Sequence, residues 1–195
     1  SYVPNRTYEK TALMLIRRAK VDRTLLVYKL QNYLDKFLYS YAGKNIFLEG
    51  DATENTLNVD QRYFNPNWYD KTCFSLVVET FTKGSDFITE KTFKPIAFKH
   101  PFMVFGQTNT LDNLHKMGFE TYNNVFDESY DSNPDLNSRI DKLIENIEHY
   151  NNVPYDSITL EKIDHNYNLF YDTSLVLSKI KQEIIEPIIE YAESN

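Results

Sequence analysis

Cysteine is nearly absent from this chain. Cys73 is the single one in 195 residues, which excludes an internal disulfide and any zinc site built on several thiolates. Glycine is scarce as well. Gly43, Gly50, Gly84, Gly106 and Gly118 are the full set, and neither a GxGxxG dinucleotide fingerprint nor a P-loop can be assembled from them. No apolar run approaches the roughly 20 residues that span a bilayer, and no signal peptide is read at the start. Positive charge is in deficit: the formal net charge of −7 argues against a duplex nucleic-acid binder, which needs a basic face. The four histidines, His100, His115, His149 and His165, show no HxxxH or HExxH spacing, so no metal site is expected. No Asp-x-Asp triplet occurs. Asp127, Glu128 and Asp131 crowd one loop but lack the EF-hand pattern.

What remains is ordinary globular composition, 42% hydrophobic and 25% charged. The length suits one domain with a sizeable core, so residues 1–195 are expected to form a single α/β domain. The lone thiol fits a reducing cytoplasm, the expected location. The chain begins on Ser, from which a piece of a longer protein is expected. The 15 Tyr and 13 Phe are expected mainly in the core. Without a basic surface they make a poor case for single-stranded nucleic acid.

In chain order, residues 1–4 read as a short strand leading into Asn5-Arg6. Thr7 then caps a helix from Tyr8 to Lys20, because Ala12, Leu15, Ile16 and Ala19 recur at helical spacing. Leu25–Tyr28 reads as a strand, and 31–41 is ambiguous, with Tyr33, Leu34, Phe37, Leu38 and Tyr41 on one helical face. Residues 45–48 suggest another strand, and 50–71 a long surface loop. Cys73–Val78 is a strand, 81–87 a polar loop, Thr89-Glu90-Lys91 a helix start, and Phe102–Phe105 a strand. Thr110 caps a helix over 111–117 closed by Gly118. Residues 119–122 read as a strand and 123–133 as an acidic loop. Pro134 opens a helix with Leu136, Ile140, Leu143, Ile144 and Ile147 on its apolar face. Asp156 or Ser157 starts a last helical region reaching about Ala192, interrupted at Pro187. Strands alternating with helices predict a Rossmann-like, doubly wound parallel sheet with carboxyl-terminal helices.

The chain is organised around residues 72–106. There a strand, a polar loop and a helix start gather polar groups at the carboxyl end of a strand, the edge where open parallel sheets bind ligands. A helix amino end also suits a phosphate. Glu90, one residue inside the helix, can accept both hydroxyls of a ribose. Lys91 supplies a cation for a diphosphate, and Lys94 lies one turn further. The same residues also read as an ordinary helix start, with Thr89 at the cap and Glu90 in the first turn.

The run DFITEKTFKPIAFKHPFMVFG (86–106) resembles the donor-binding motif of the alpha-1,3-fucosyltransferases, and more closely a fucosyltransferase-like group found in bacteriophages and some bacteria. Asn5-Arg6, SLVVET (75–80), HPF (100–102), TLDNLHKMGFETY (110–122), DESYD (127–131) and HNYNLFY (165–171) extend the likeness over most of the chain. It implies the carboxyl-terminal, donor-binding half of a GT-B glycosyltransferase whose amino-terminal half holds the acceptor. The donor would be a nucleotide-diphosphate sugar and the acceptor a glycan, a protein or a modified nucleobase, with no cofactor and no bound metal. Glu90 would bind the ribose, Lys91 the diphosphate, and Arg6, beside Asn5, a second phosphate contact. Thr89 and Lys94 complete the binding set. Glu79, matching the acidic residue of the Phe-Glu-Asn element, would lie by the donor sugar as the candidate catalytic carboxylate. Thr80 stands where that element has Asn, and Lys99-His100 where the family has an Ala-Gly turn. The alternative is a nucleotide-binding or structural module that keeps the fold without catalysis.

Overall fold

The computed structural model of the chain describes residues 4–48, 65–84, 87–151, 155–174, 178 and 181–186. Among them are four strands, β1 (Lys10–Ile16), β2 (Phe37–Tyr41), β3 (Thr72–Val78) and β4 (Phe102–Phe105). Every pairing is parallel, and the order across the sheet is β2-β1-β3-β4. The flanking helices are α1 (Val21–Lys29), α2 (Pro66–Asp70), α3 (Glu90–Ala97), α4 (Thr110–Lys116), α5 (Leu136–His149) and α6 (Ser157–Phe170). The expected Rossmann-like α/β architecture is present.

The central strands are buried on both faces, as parallel strands under helices must be. All seven residues of β3 and all four of β4 are buried. In β1, Ala12, Met14 and Ile16 join a cluster with Leu26 and Leu30 and with Ile140, Leu143 and Ile147 of α5. Leu13 points the other way, into a second cluster with Trp68, Tyr69 and Phe98, which follows from the two-residue period of a strand. On the two faces α1 packs on α5 and α3 on α6.

Several local expectations are corrected. The helix expected over 8–20 is the strand β1. The positions that fit a helical stripe are part of a run apolar on both sides, and a short run of that kind carries no decisive period. The strand expected at Leu25–Tyr28 lies inside α1, where Leu26 is buried and Tyr28 exposed. Within the ambiguous stretch, Gln31–Lys36 is a 3-10 helix and Phe37–Tyr41 is β2. Residues 45–48 contribute only one bridge, Ile46 to Tyr41. Part of the expected surface loop is α2, capped by Asn65 with Pro66 at its first position, and it buries Trp68. The rest of that loop, like the expected strand at 1–4 except for Pro4, lies outside the described residues.

Residues 119–122 form no strand. Asn166 of α6 takes the place of a neighbouring strand: it donates to the Glu120 carbonyl (2.8 Å) and accepts from the Glu120 N–H (2.7 Å). Asn109, in the left-handed region, precedes α4 where Thr110 was expected to cap, and Thr110 is its first residue. Gly118 closes that helix with φ +92°, a conformation glycine adopts without penalty. Asp135 caps α5, two residues later than Pro134 would have it. The last helical region starts where expected, with Asp156 as cap; α6 itself ends at Phe170, and Thr173, Ser174 and Ser178 are helical again. A π turn follows at Lys181–Ile185, and Pro187 and the residues after it lie outside the described set.

His100, just before β4, is fully buried. Its Nε2 lies 2.8 Å from the Thr72 carbonyl and its Nδ1 2.9 Å from Ser75 Oγ. A carbonyl only accepts, so Nε2 carries the proton and Nδ1 accepts from the Ser75 hydroxyl. Burial pushes its pKa down to about 3, with Arg6 adding to the shift.

Candidate functional site

The chain leaves β1 for β2 in one direction along the sheet and leaves β3 for β4 in the other. Between the carboxyl ends of β1 and β3 the order therefore reverses, which is where ligands of open α/β sheets bind. Arg17 and Arg18 follow β1 at this edge, Glu79 and Thr80 follow β3, Gly106 and Gln107 follow β4, and α3 begins here. Gly43 presses the loop after β2 against it. Its N–H donates to the Arg17 carbonyl at 2.8 Å, and a Cβ at Gly43 would stand 2.6 Å from the Ala19 nitrogen, so only glycine fits without a shift.

Glu79 is fully buried. Its Oε1 accepts from the Thr89 N–H (3.0 Å) and Thr92 Oγ1 (2.8 Å). Its Oε2 accepts from Thr89 Oγ1 (2.6 Å) and the Thr80 N–H (3.3 Å). Thr89 is in turn the cap of α3, accepting from the Lys91 N–H at 3.3 Å. A carboxylate at a helix amino end is where the macrodipole favours negative charge. Glu79 thus stands at the end of β3, as the resemblance implied, but its oxygens face inward and fill the anion position that α3 offers.

Lys91 sits on this cluster. Its ammonium donates to Thr80 Oγ1 (3.1 Å) and Thr89 Oγ1 (3.0 Å) and lies 3.7 Å from carboxylate oxygens of both Glu79 and Glu90. The head is held over the end of β3 while the side chain stays partly open. Glu90 beside it is exposed. Lys94, one turn on, has its pKa lowered, first by burial and then by the cations of Lys91 and Arg17, against the pull of Glu90. Lys91 and Arg17 therefore both lie close enough to act on Lys94, although like charges repel. Such a set can hold a polyanion, and Glu90 offers an acceptor for hydroxyls.

Comparisons with protein-family models, with curated proteins and with solved structures found no match.

Two arginines brace the backbone around the sheet ends. Arg23 of α1 is buried and reaches across to β3. It donates to the carbonyls of Glu79 (3.1 Å), Val78 (3.4 Å) and Arg18 (3.1 Å) and to Thr80 Oγ1 (3.3 Å). It stitches the two strand ends that frame the crevice. Arg17 and Arg18 carry no site signal in the sequence when 8–20 reads as a helix, and Arg23 falls between that helix and the strand expected at Leu25–Tyr28. Read as a strand, the apolar run ending at Ile16 marks Arg17 as an edge residue.

Arg6 precedes β1 and lies at the amino edge of the sheet, opposite the crevice. It donates to the Tyr69 carbonyl (3.0 Å), the Phe98 carbonyl (3.3 Å) and the Lys99 carbonyl, and approaches Asp70 (3.8 Å). The Asn5 N–H donates to Asp70 at 3.1 Å. The structure brings Glu79, Thr89, Glu90, Lys91 and Lys94 together and leaves Asn5 and Arg6 outside.

Among the described residues no group of His, Cys, Asp and Glu is arranged to hold a metal ion. Asp127 accepts from the Ser129 N–H, Glu128 from the Thr121 hydroxyl and Asp131 from the Leu111 N–H, so the acidic loop is tied to its own neighbourhood. No helix among these residues is long and apolar enough to cross a membrane.

Proposed function

We propose that the crevice at the carboxyl ends of β1 and β3 binds the diphosphate of a nucleotide sugar, and that the chain is the donor-binding domain of a metal-independent, cytoplasmic glycosyltransferase of GT-B type. The observation that supports this reading is the gathering of Lys91, Lys94 and Arg17 at the topological switch point, with the Lys91 ammonium held in place by two threonine hydroxyls. The likeness of residues 86–106 to the fucosyltransferase donor motif points the same way.

In this reading the ammonium groups of Lys91 and Lys94 take the phosphate oxygens, and Glu90 accepts from the ribose hydroxyls. An acceptor oxygen displaces the nucleoside diphosphate at the anomeric carbon. The bond from that carbon to the phosphate oxygen breaks, and the negative charge left on the diphosphate is stabilised by the cations already in place. The acceptor is a glycan, a protein or a modified nucleobase, and its proton passes to a base on the acceptor side.

The test is a thermal-shift panel of GDP-, UDP-, CMP- and dTDP-sugars, followed by titration calorimetry of GDP and UDP. At least one nucleotide should raise the melting temperature, and Lys91→Ala should weaken its binding. A parent protein indifferent to every nucleotide would end this reading. A second reading, a nucleotide-binding module without catalysis, is favoured by the inward-facing, fully hydrogen-bonded Glu79. Binding with no turnover of any donor in the presence of varied acceptors would select it.

A further inference from the structure

The loop after β3 carries two phenylalanines that the core does not use. Phe81 is 46% exposed and Phe87 42%. Single exposed apolar side chains are unremarkable on protein surfaces, but adjoining ones at a ligand-binding edge are informative. Here the rings meet edge to face, 5.2 Å apart at 78°, and large parts of both stay open. The Lys20 ammonium lies 3.9 Å from the centre of Phe81, and Thr80, next to Phe81 in the chain, holds Lys91. Lys20 thus covers part of one face of Phe81 from the β1 side and Lys91 is held at the preceding residue, while the exposed remainder of the ring pair is left to a ligand.

The loop is pinned as well. Thr82 donates to Asp22 of α1, and Gln107 donates to the Lys83 carbonyl at 3.0 Å. Phe81 lies directly between Thr80 and Thr82, so its backbone is fixed before any ligand arrives, which limits the ordering a ligand must impose. A flat aromatic surface beside a polyanion site matches a ligand with a flat ring and a charged tail.

We propose that Phe81, backed by Phe87, stacks the nucleobase of the nucleoside diphosphate whose phosphates lie at Lys91. This rests on the reading of the edge as a diphosphate site. Stacking on an aromatic side chain is tolerant of base identity, because every base has a π face. The assignment therefore predicts that GDP and UDP both use Phe81.

The experiment measures pyrophosphate, GDP and UDP binding by calorimetry on the full chain and on its Phe81→Ala and Phe81→Tyr variants, with circular dichroism to confirm the fold. Pyrophosphate carries the charge without the ring. The expected result is that Phe81→Ala weakens the nucleotides roughly tenfold or more, leaves pyrophosphate unchanged, and is rescued by Phe81→Tyr. Equal nucleotide affinity in parent and Phe81→Ala would overturn the proposal, as would equal losses for pyrophosphate and nucleotide. A parent that binds none of the three would refute the diphosphate site itself, a failure separable from that of the stacking assignment.

Discussion

His100 makes the stability of this domain depend on pH in a defined window. In the fold its pKa is about 3, against an ordinary value of 6.5. The folded pKa is depressed, so the fold favours the neutral ring. The contribution is fully present above about pH 6.5 and is lost as pH falls from there toward 3. At pH 5 the folded imidazole is still neutral while the unfolded one is largely protonated, so the loss relative to pH 7 is set by the unfolded pKa alone. It comes to about 2 kcal/mol, from about 1.4 kcal/mol per pH unit. The reason is burial: the charged imidazolium would lose its hydration in a site sealed from water, and the Arg6 cation nearby adds to the cost. His100→Gln keeps a donor for the Thr72 carbonyl and removes the titration. Its own cost, about 1–3 kcal/mol for a disturbed buried hydrogen bond, is the same at both pH values and drops out. Urea unfolding of parent and variant at pH 7 and pH 5, extrapolated linearly, gives four stabilities. The carboxylates that titrate nearby are common to both proteins. The parent should lose about 2 kcal/mol more than the variant. Equal losses in the two proteins would refute the reasoning.

Other outcomes follow from the site and its supports. Lys91→Ala should weaken GDP or UDP binding by about 1.5–3 kcal/mol, the range for a hydrogen bond to a charged group; unchanged affinity in calorimetry would remove Lys91 from the phosphate contacts. Glu79→Gln places an amide group among hydrogen-bond donors and should cost about 3 kcal/mol of stability, read by urea unfolding; a variant as stable as the parent would contradict the buried carboxylate cluster. EDTA should leave nucleotide affinity unchanged, since neither an Asp-x-Asp triplet in the sequence nor a ligand cluster among the described residues offers a metal a place; loss of binding on chelation would overturn the metal-independent reading.

The carboxyl-terminal side of the sequence was far more legible than the amino-terminal side. From Cys73 onward, short apolar runs alternate with polar loops and capped helices. Thr89, Asp156 and Gly118 punctuate them with residue types whose roles are local, and local signals survive into the fold. The amino-terminal third is less legible for the opposite reason. A strand buried on both faces shows no alternation, and 10–16 imitates a helical stripe by the chance placing of Lys10 and Arg17. That imitation hides the arginines at the end of β1. The expected strand at 119–122 fails differently: the N–H and carbonyl of Glu120 are both satisfied by one amide side chain 46 residues away, a long-range substitution that no local pattern encodes. Glu79 shows the limit at the site. Its position at the strand end was legible, but whether a carboxylate faces solvent or turns to a helix depends on Thr89 and Thr92, which reach it only once the loop has closed.

Helix α3 is gripped at both ends by charges of opposite sign, Glu79 on its first turn and Arg6 on its last carbonyls. Eight residues make it about 12 Å long, so the two grips sit on opposite edges of the sheet with the helix as a rod between them. Lys91 and Lys94 ride on that rod. A change at Arg6, at the opposite edge from the crevice, would loosen the grip on the far end, and a small tilt of the rod about Glu79 would shift both ammonium groups relative to the end of β3. If the crevice binds the proposed diphosphate, its affinity is therefore adjustable from the back side of the sheet, through Arg6.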